Sequence, residues 1–226
     1  MSDQRWERWE AASGFLALLA GAVGGVLERG WPNATDPAAV ATFIVEHRGA
    51  ILGQSMMFLL SGALYIWFLG SLRSFLLRAE GGAGRLSDVA FGAGLCWVII
   101  GMVAQAFQVG ITNAVDAGIQ PALMWTMAAA FAIANLPCAV MLAAVAVVTF
   151  RHRAFPVWLG WISIAAAMAQ LLLWCGTVVS SGPLAPNGWL TYVLYPLFLV
   201  WLLPAVITMV KRLDKADVAV APPGRQ

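Results

Sequence analysis

Few of the 226 residues of this sequence have the chemistry of a catalytic or metal centre. Glu28, Glu46 and His47 are the only plausible acid-base set: two carboxyls and an imidazole could exchange a proton if brought within hydrogen-bond reach. With Arg29 and Arg48 beside them, the same residues could form a proton or cation site at the mouth of a cavity, although surface ion pairs at helix ends are the commoner arrangement. Position excludes other chemistries. Lys211 and Lys215 both follow the last apolar block, which rules out a retinal Schiff base within it. His47 and His152 belong to opposite ends of the apolar segments, so they cannot share a haem or a metal. Cys96, Cys138 and Cys175 fall in different segments at different depths and read as packed thiols. There is no His-Glu metal motif, Gly-x-Ser-x-Gly elbow or phosphate-cradling Gly-Lys loop, and no cofactor is expected.

A second group of residues can bind rather than react. Gln54, Gln105, Gln108, Asn135, Gln170 and Trp174 carry hydrogen-bonding groups inside strongly apolar stretches, where each must find a partner or line a wet cavity. Gly94, Gly101, Gln105, Gln108 and Thr112 share one helical face, as do Gln54, Ser61 and Tyr65, and Ser163, Gln170, Trp174 and Thr177. Counted along the helices, the four glutamines fall in the outer half and Asn135 near the midplane. Such a set could line a cavity open to the outer leaflet and hold an apolar or amphipathic molecule. It could equally bond one helix to another, each bond contributing about 0.6 kcal/mol. Both readings stand at the level of sequence.

The elements that must position these residues follow from composition. Hydrophobic residues make up 61% of the chain and charged ones 11%, against about 25% charged in an ordinary soluble domain. The charges cluster and leave uncharged blocks at 11–27, 49–72, 89–115, 117–150 and 154–210. A bilayer crossing needs about 20 apolar residues. The fifth block is too long for one crossing and is broken by Ser181-Gly182-Pro183-Leu184-Ala185-Pro186-Asn187-Gly188. The sequence therefore predicts an all-α polytopic membrane protein, a bundle of six transmembrane helices over 11–29, 49–71, 89–112, 122–150, 156–180 and 190–210. Thr35-Asp36-Pro37 starts a short amphipathic helix in the first outer loop, carrying Val40, Phe43, Ile44 and His47 at helical spacing. Residues 80–85 read as a flexible loop, and 211–226 as a disordered tail after a single domain over 1–210. Pro137, Pro196 and Pro204 mark points where helices can kink.

Basic residues in short loops stay on the cytoplasmic side. With the N-terminus inside, all arginines and lysines but Arg29 and Arg48 fall there, which gives a multi-pass protein with both termini cytoplasmic. The net charge of +2 is then a matter of topology, and no nucleic-acid partner is expected. Ala20-Gly21-Ala22 resembles a signal-peptide cleavage site, but Asp3, Glu7 and Glu10 in the leader and the unbroken run through Leu27 favour a first crossing. Trp6, Trp9, Trp31, Trp125, Trp158, Trp161 and Trp189 fit an interfacial aromatic belt, while Trp97, Trp174 and Trp201 are predicted deeper. Ala17, Gly21 and Gly25 form a small-residue seam on the first helix, usable within the bundle, with a membrane protein partner or in a homo-oligomer.

The glycine-rich first helix ending in Leu27-Glu28-Arg29, the Thr35-Asp36-Pro37 start and Phe155-Pro156-Val157-Trp158-Leu159-Gly160 carry a resemblance over roughly residues 11 to 180. In these features the chain resembles domain-of-unknown-function families of small six-helix bacterial integral membrane proteins. The resemblance implies the architecture and a bacterial inner membrane, and it lends no catalytic residues. Three functions are carried forward: a bundle that binds, transports or senses an apolar or amphipathic small molecule; an accessory subunit of a larger membrane complex; and a membrane-embedded enzyme using Glu28, Glu46 and His47. Besides membrane lipid, the partners expected are that small molecule and another membrane protein.

Overall fold

The structure, a computed structural model, describes residues 3–27, 32, 37–118, 121–179, 181–185 and 188–220, with side chains described from 9 to 212 within those ranges. Among the described residues seven α-helices follow one another: α1 (Asp3–Leu27), α2 (Pro37–Glu80), α3 (Arg85–Asn113), α4 (Pro121–His152), α5 (Val157–Cys175), α6 (Trp189–Leu194) and α7 (Pro196–Val220). Among the described residues six segments are long and apolar enough to cross a membrane, α6 and the first part of α7 forming the sixth. Phe15, Leu19, Met56, Leu60, Trp67, Ile99, Val103, Met168 and Val200 are exposed on the outside of the bundle. An apolar exterior of this extent belongs in hydrocarbon and would aggregate in water. The chain is thus a multi-pass, all-α membrane protein.

Each helix packs on the next in sequence, and α7 returns to both α1 and α5, closing the bundle. Small residues permit the close approaches. A Cβ on Gly14 of α1 would stand 2.6 Å from Phe68 Cδ2 and 2.8 Å from Val206 Cγ2, so α1 is pressed against α2 and α7 at once. Gly94 of α3 similarly admits Leu69 of α2 and Met141 of α4. The expected seam is used inside the chain at Ala17, which is fully buried and accepts the Ser61 hydroxyl at 2.8 Å, and at Gly21. Gly25 faces open space.

Two expectations for the connections are refined. The amphipathic segment is continuous with the second crossing, and α2 bends at His47, whose φ of −120° and ψ of 18° depart from helical values. Val40 and Ile44 do not lie on a lipid surface; they are buried against Ile111, Val115, Met124 and Met127. Thr35 and Asp36, the expected helix start, lie outside the described residues. The glycine-rich 80–85 segment is a tight turn rather than a loose loop. Gly81, Gly82 and Gly84 adopt positive φ, and the Glu80 carboxylate accepts the backbone N–H of Leu86 at 3.2 Å, the N–H of Ser87 at 3.0 Å and the Ser87 hydroxyl at 2.7 Å. It satisfies orphan donors at the start of α3.

The last helix runs to Val220, past the expected end at 210, because Lys211 to Val220 contain no Gly or Pro to stop it. Residues 221–226 of the expected tail lie outside the described residues. At Pro196 the helical hydrogen bonding of the sixth crossing is interrupted between α6 and α7, although Tyr195 keeps helical angles, φ −59° and ψ −39°, while α4 and α7 stay helical through Pro137 and Pro204. At the α4–α5 turn Arg153 takes a φ of 56°, and Arg212 of α7 donates to the Ala154 carbonyl at 2.6 Å, clamping that turn.

Candidate functional site

The buried polar residues gather at helix faces turned into the bundle. Among the described residues none of those buried is charged; they are serines, threonines and four glutamines. Gln54 of α2 and Gln108 of α3, 0% and 1% exposed, meet directly, Gln108 Nε2 donating to Gln54 Oε1. The Thr112 hydroxyl donates to the Gln108 carbonyl at 2.8 Å within α3. One turn deeper, Gln105 is 3% exposed and its Oε1 has no partner. Gln170 of α5 is 1% exposed, and neither its Oε1 nor its Nε2 is bonded. Gln54 Nε2, Ser55 Oγ, Thr149 Oγ1 and Trp201 Nε1 are likewise buried without partners. An unbonded buried polar group costs about 1–3 kcal/mol in water-soluble proteins, so this concentration calls for an explanation.

The bundle also holds an aromatic cluster drawn from three helices. Tyr65 of α2 meets Trp97 of α3 edge-on, with ring centres 5.1 Å apart. Trp97 meets Phe198 of α7 at 4.9 Å, and Phe198 lies 5.8 Å from Trp201. Trp201 is fully buried. The convergence of Tyr65, Trp97 and Phe198 depends on the rotation of three helices and is not legible in sequence.

Two of the six expected lining residues stand apart. Asn135 is only partly buried on α4. Trp174 is 38% exposed and is not turned into the interior. The buried row of α5 is Leu159, Ser163, Ala166, Gln170 and Leu173, an alternation of four and three residues, as in left-handed helix packing. After Gln170 the next inward position is therefore Leu173, and Trp174 falls to the outside.

The charged set does not assemble among the described residues. Glu46 and His47 are exposed; the His47 ring stacks on Phe43 at 4.4 Å, with Nδ1 3.1 Å from the Phe43 carbonyl oxygen. Arg48 turns to the other side of the mouth, 3.3 Å from Asn113 Oδ1 and 3.7 Å from Asp116. Glu28 and Arg29 lie outside the described residues. Among the described residues no three His, Cys, Asp or Glu side chains are grouped to hold a metal ion.

The molecule also has a groove of about 350 Å³ between α4 and α5. It is apolar throughout, and none of the six expected lining residues borders it. No protein-family model, no curated protein and no solved structure matches the chain.

Proposed function

We propose that this protein is a small, non-enzymatic component of a bacterial inner membrane that binds an apolar or amphipathic small molecule inside its bundle, to transport or sense it. The observation that carries the reading is Gln170, a fully enclosed primary amide with donors and acceptor all unsatisfied. A carboxamide in hydrocarbon without a partner is costly, and a ligand carrying one donor and one acceptor would satisfy it. The free Oε1 of Gln105 offers a second acceptor in the interior. The ligand body would be apolar, because the core of the bundle is otherwise hydrophobic and its aromatic cluster presents ring faces and edges. Gln54 and Gln108 contribute less, since they already use each other. Six crossing-capable helices together with the arginine distribution support a topology with both termini on the cytoplasmic side.

The test is native mass spectrometry of protein released from gentle detergent. Wild type should carry a reproducible adduct of one defined mass, and Gln170→Leu, with helicity retained by circular dichroism, should lose it. A wild-type protein with no adduct other than phospholipid, or a non-phospholipid adduct that survives Gln170→Leu, overturns the reading. One observation favours the accessory-subunit reading instead. Gly25, the last residue of the small-residue seam, has open space before it, as a partner helix would require. A second protein in the same spectrum would support that role.

A further inference from the structure

On the outside of the bundle, the α4–α5 groove is built as a slot for a chain. Ala139, Ala143, Val147 and Phe150 line it from α4, Ile164 and Met168 from α5. From Ala139 to Phe150 is eleven steps along a helix, about 16 Å at ~1.5 Å each. That is roughly one leaflet of a hydrocarbon core about 30 Å thick. Alanines keep the slot open, since Ala143 is exposed at its floor and a larger side chain there would fill it.

What stands at one end of the groove selects its occupant. Ala139, Ala143 and Val147 lie four residues apart on one row of α4, and the next residue of that row is Arg151, which is exposed. Arg153 follows at the turn, exposed. Arg212 is held against the same turn by its bond to the Ala154 carbonyl. On α5 the row of Ile164 and Met168 leads back to Trp161, 62% exposed and edge-on to Phe150 at 5.1 Å, and Trp158 beside it is 51% exposed. Indoles of this kind sit at the headgroup level, so the arginine end of the groove is its interfacial end. The other end runs towards mid-membrane.

We propose that the α4–α5 groove is a specific site for an anionic phospholipid, with one acyl chain laid along Ala139 to Phe150 and the phosphate met by Arg151 and Arg153. Arginine presents a fork of donors that matches phosphate oxygens, and basic groups between transmembrane helices select anionic headgroups. A zwitterionic lipid would fill the same slot but leave the arginine charge uncompensated. The site is separate from the interior amides and does not depend on the ligand assigned to them.

The experiment uses full-length protein in nanodiscs of equal parts phosphatidylcholine and phosphatidylglycerol, with retained lipids counted by native mass spectrometry. Wild type should retain phosphatidylglycerol in preference to phosphatidylcholine. Arg151→Gln should weaken that preference about fivefold, and Arg151→Lys should keep most of it. Ala143→Leu should lower retention of both lipids by closing the slot. Both positions are exposed, so the variants should fold, and Gln170→Leu should leave lipid retention unchanged. The site is refuted by a wild type without preference, by an unaltered preference in Arg151→Gln, by unaltered retention in Ala143→Leu, or by a lipid-free dimer.

Discussion

The Gln54–Gln108 pair makes an asymmetric prediction. Gln108 Nε2 donates to Gln54 Oε1, and the second polar atom of Gln54, Nε2, is buried without a partner. Replacing Gln108 by leucine removes the bond and leaves both polar atoms of Gln54 unsatisfied. That should cost about 1–3 kcal/mol; bonds between membrane helices average about 0.6 kcal/mol and reach about 1.7, so the lower half of the range is expected. Replacing Gln54 instead orphans Gln108 Nε2 but also removes an atom that was already orphaned, and the two effects nearly cancel. The double substitution removes both amides and should be at least as stable as wild type. Reversible unfolding in mixed micelles with rising sodium dodecyl sulfate, followed by circular dichroism, measures all four proteins. The expected order places Gln108→Leu lowest and the other three close together, with a coupling energy equal to the Gln108→Leu loss. Equal and additive losses from the two single changes, or a larger loss from Gln54→Leu, would refute the pairing.

Two further outcomes test the packing and the turn. Gly14→Ala should lower the unfolding midpoint by the equivalent of about 1–3 kcal/mol, because its Cβ would meet Phe68 and Val206 below 3 Å, whereas Gly25→Ala, with nothing near it, should leave the midpoint unchanged or raise it. Glu80 ends a helix of 44 residues, more than twice the ~20 a bilayer needs, and so stands outside the hydrocarbon. Desolvation raises its pKa, but the Ser87 hydroxyl, the N–H groups of Leu86 and Ser87 and the nearby His152 outweigh that and hold the carboxyl below its ordinary value. A lowered folded pKa stabilises above the unfolded value of about 4.3 and loses that contribution as pH falls through the folded one. The stability difference between wild type and Glu80→Gln should therefore be full at neutral pH and vanish in acid, as thermal scans across pH would show; a difference independent of pH would count against the cap.

Much of the fold was legible because a bilayer imposes its requirements one helix at a time. A stretch that crosses must be long and apolar whatever its neighbours are, so the six crossings and the break between the last two, within Ser181 to Gly188, could be read from residues alone. The turn after Glu80 is held by a carboxylate reaching forward to Leu86 and Ser87, a contact that glycine content does not reveal.

The sequence by itself determined that these residues form six apolar helices, that polar side chains occur within them at helical spacings, and that Lys211 and Lys215 follow the last uncharged block. Only the tertiary structure decided what those polar groups do. Gln54 and Gln108 satisfy one another, Gln170 is enclosed and unbonded, and Trp174 yields its inward place to Leu173. Those outcomes turn on the rotation of each helix about its axis. That rotation is set by where small residues such as Gly14 and Gly94 let neighbours approach, and a one-position shift in a 3.6-residue repeat turns a side chain through about 100°, from the bundle interior to its outer face.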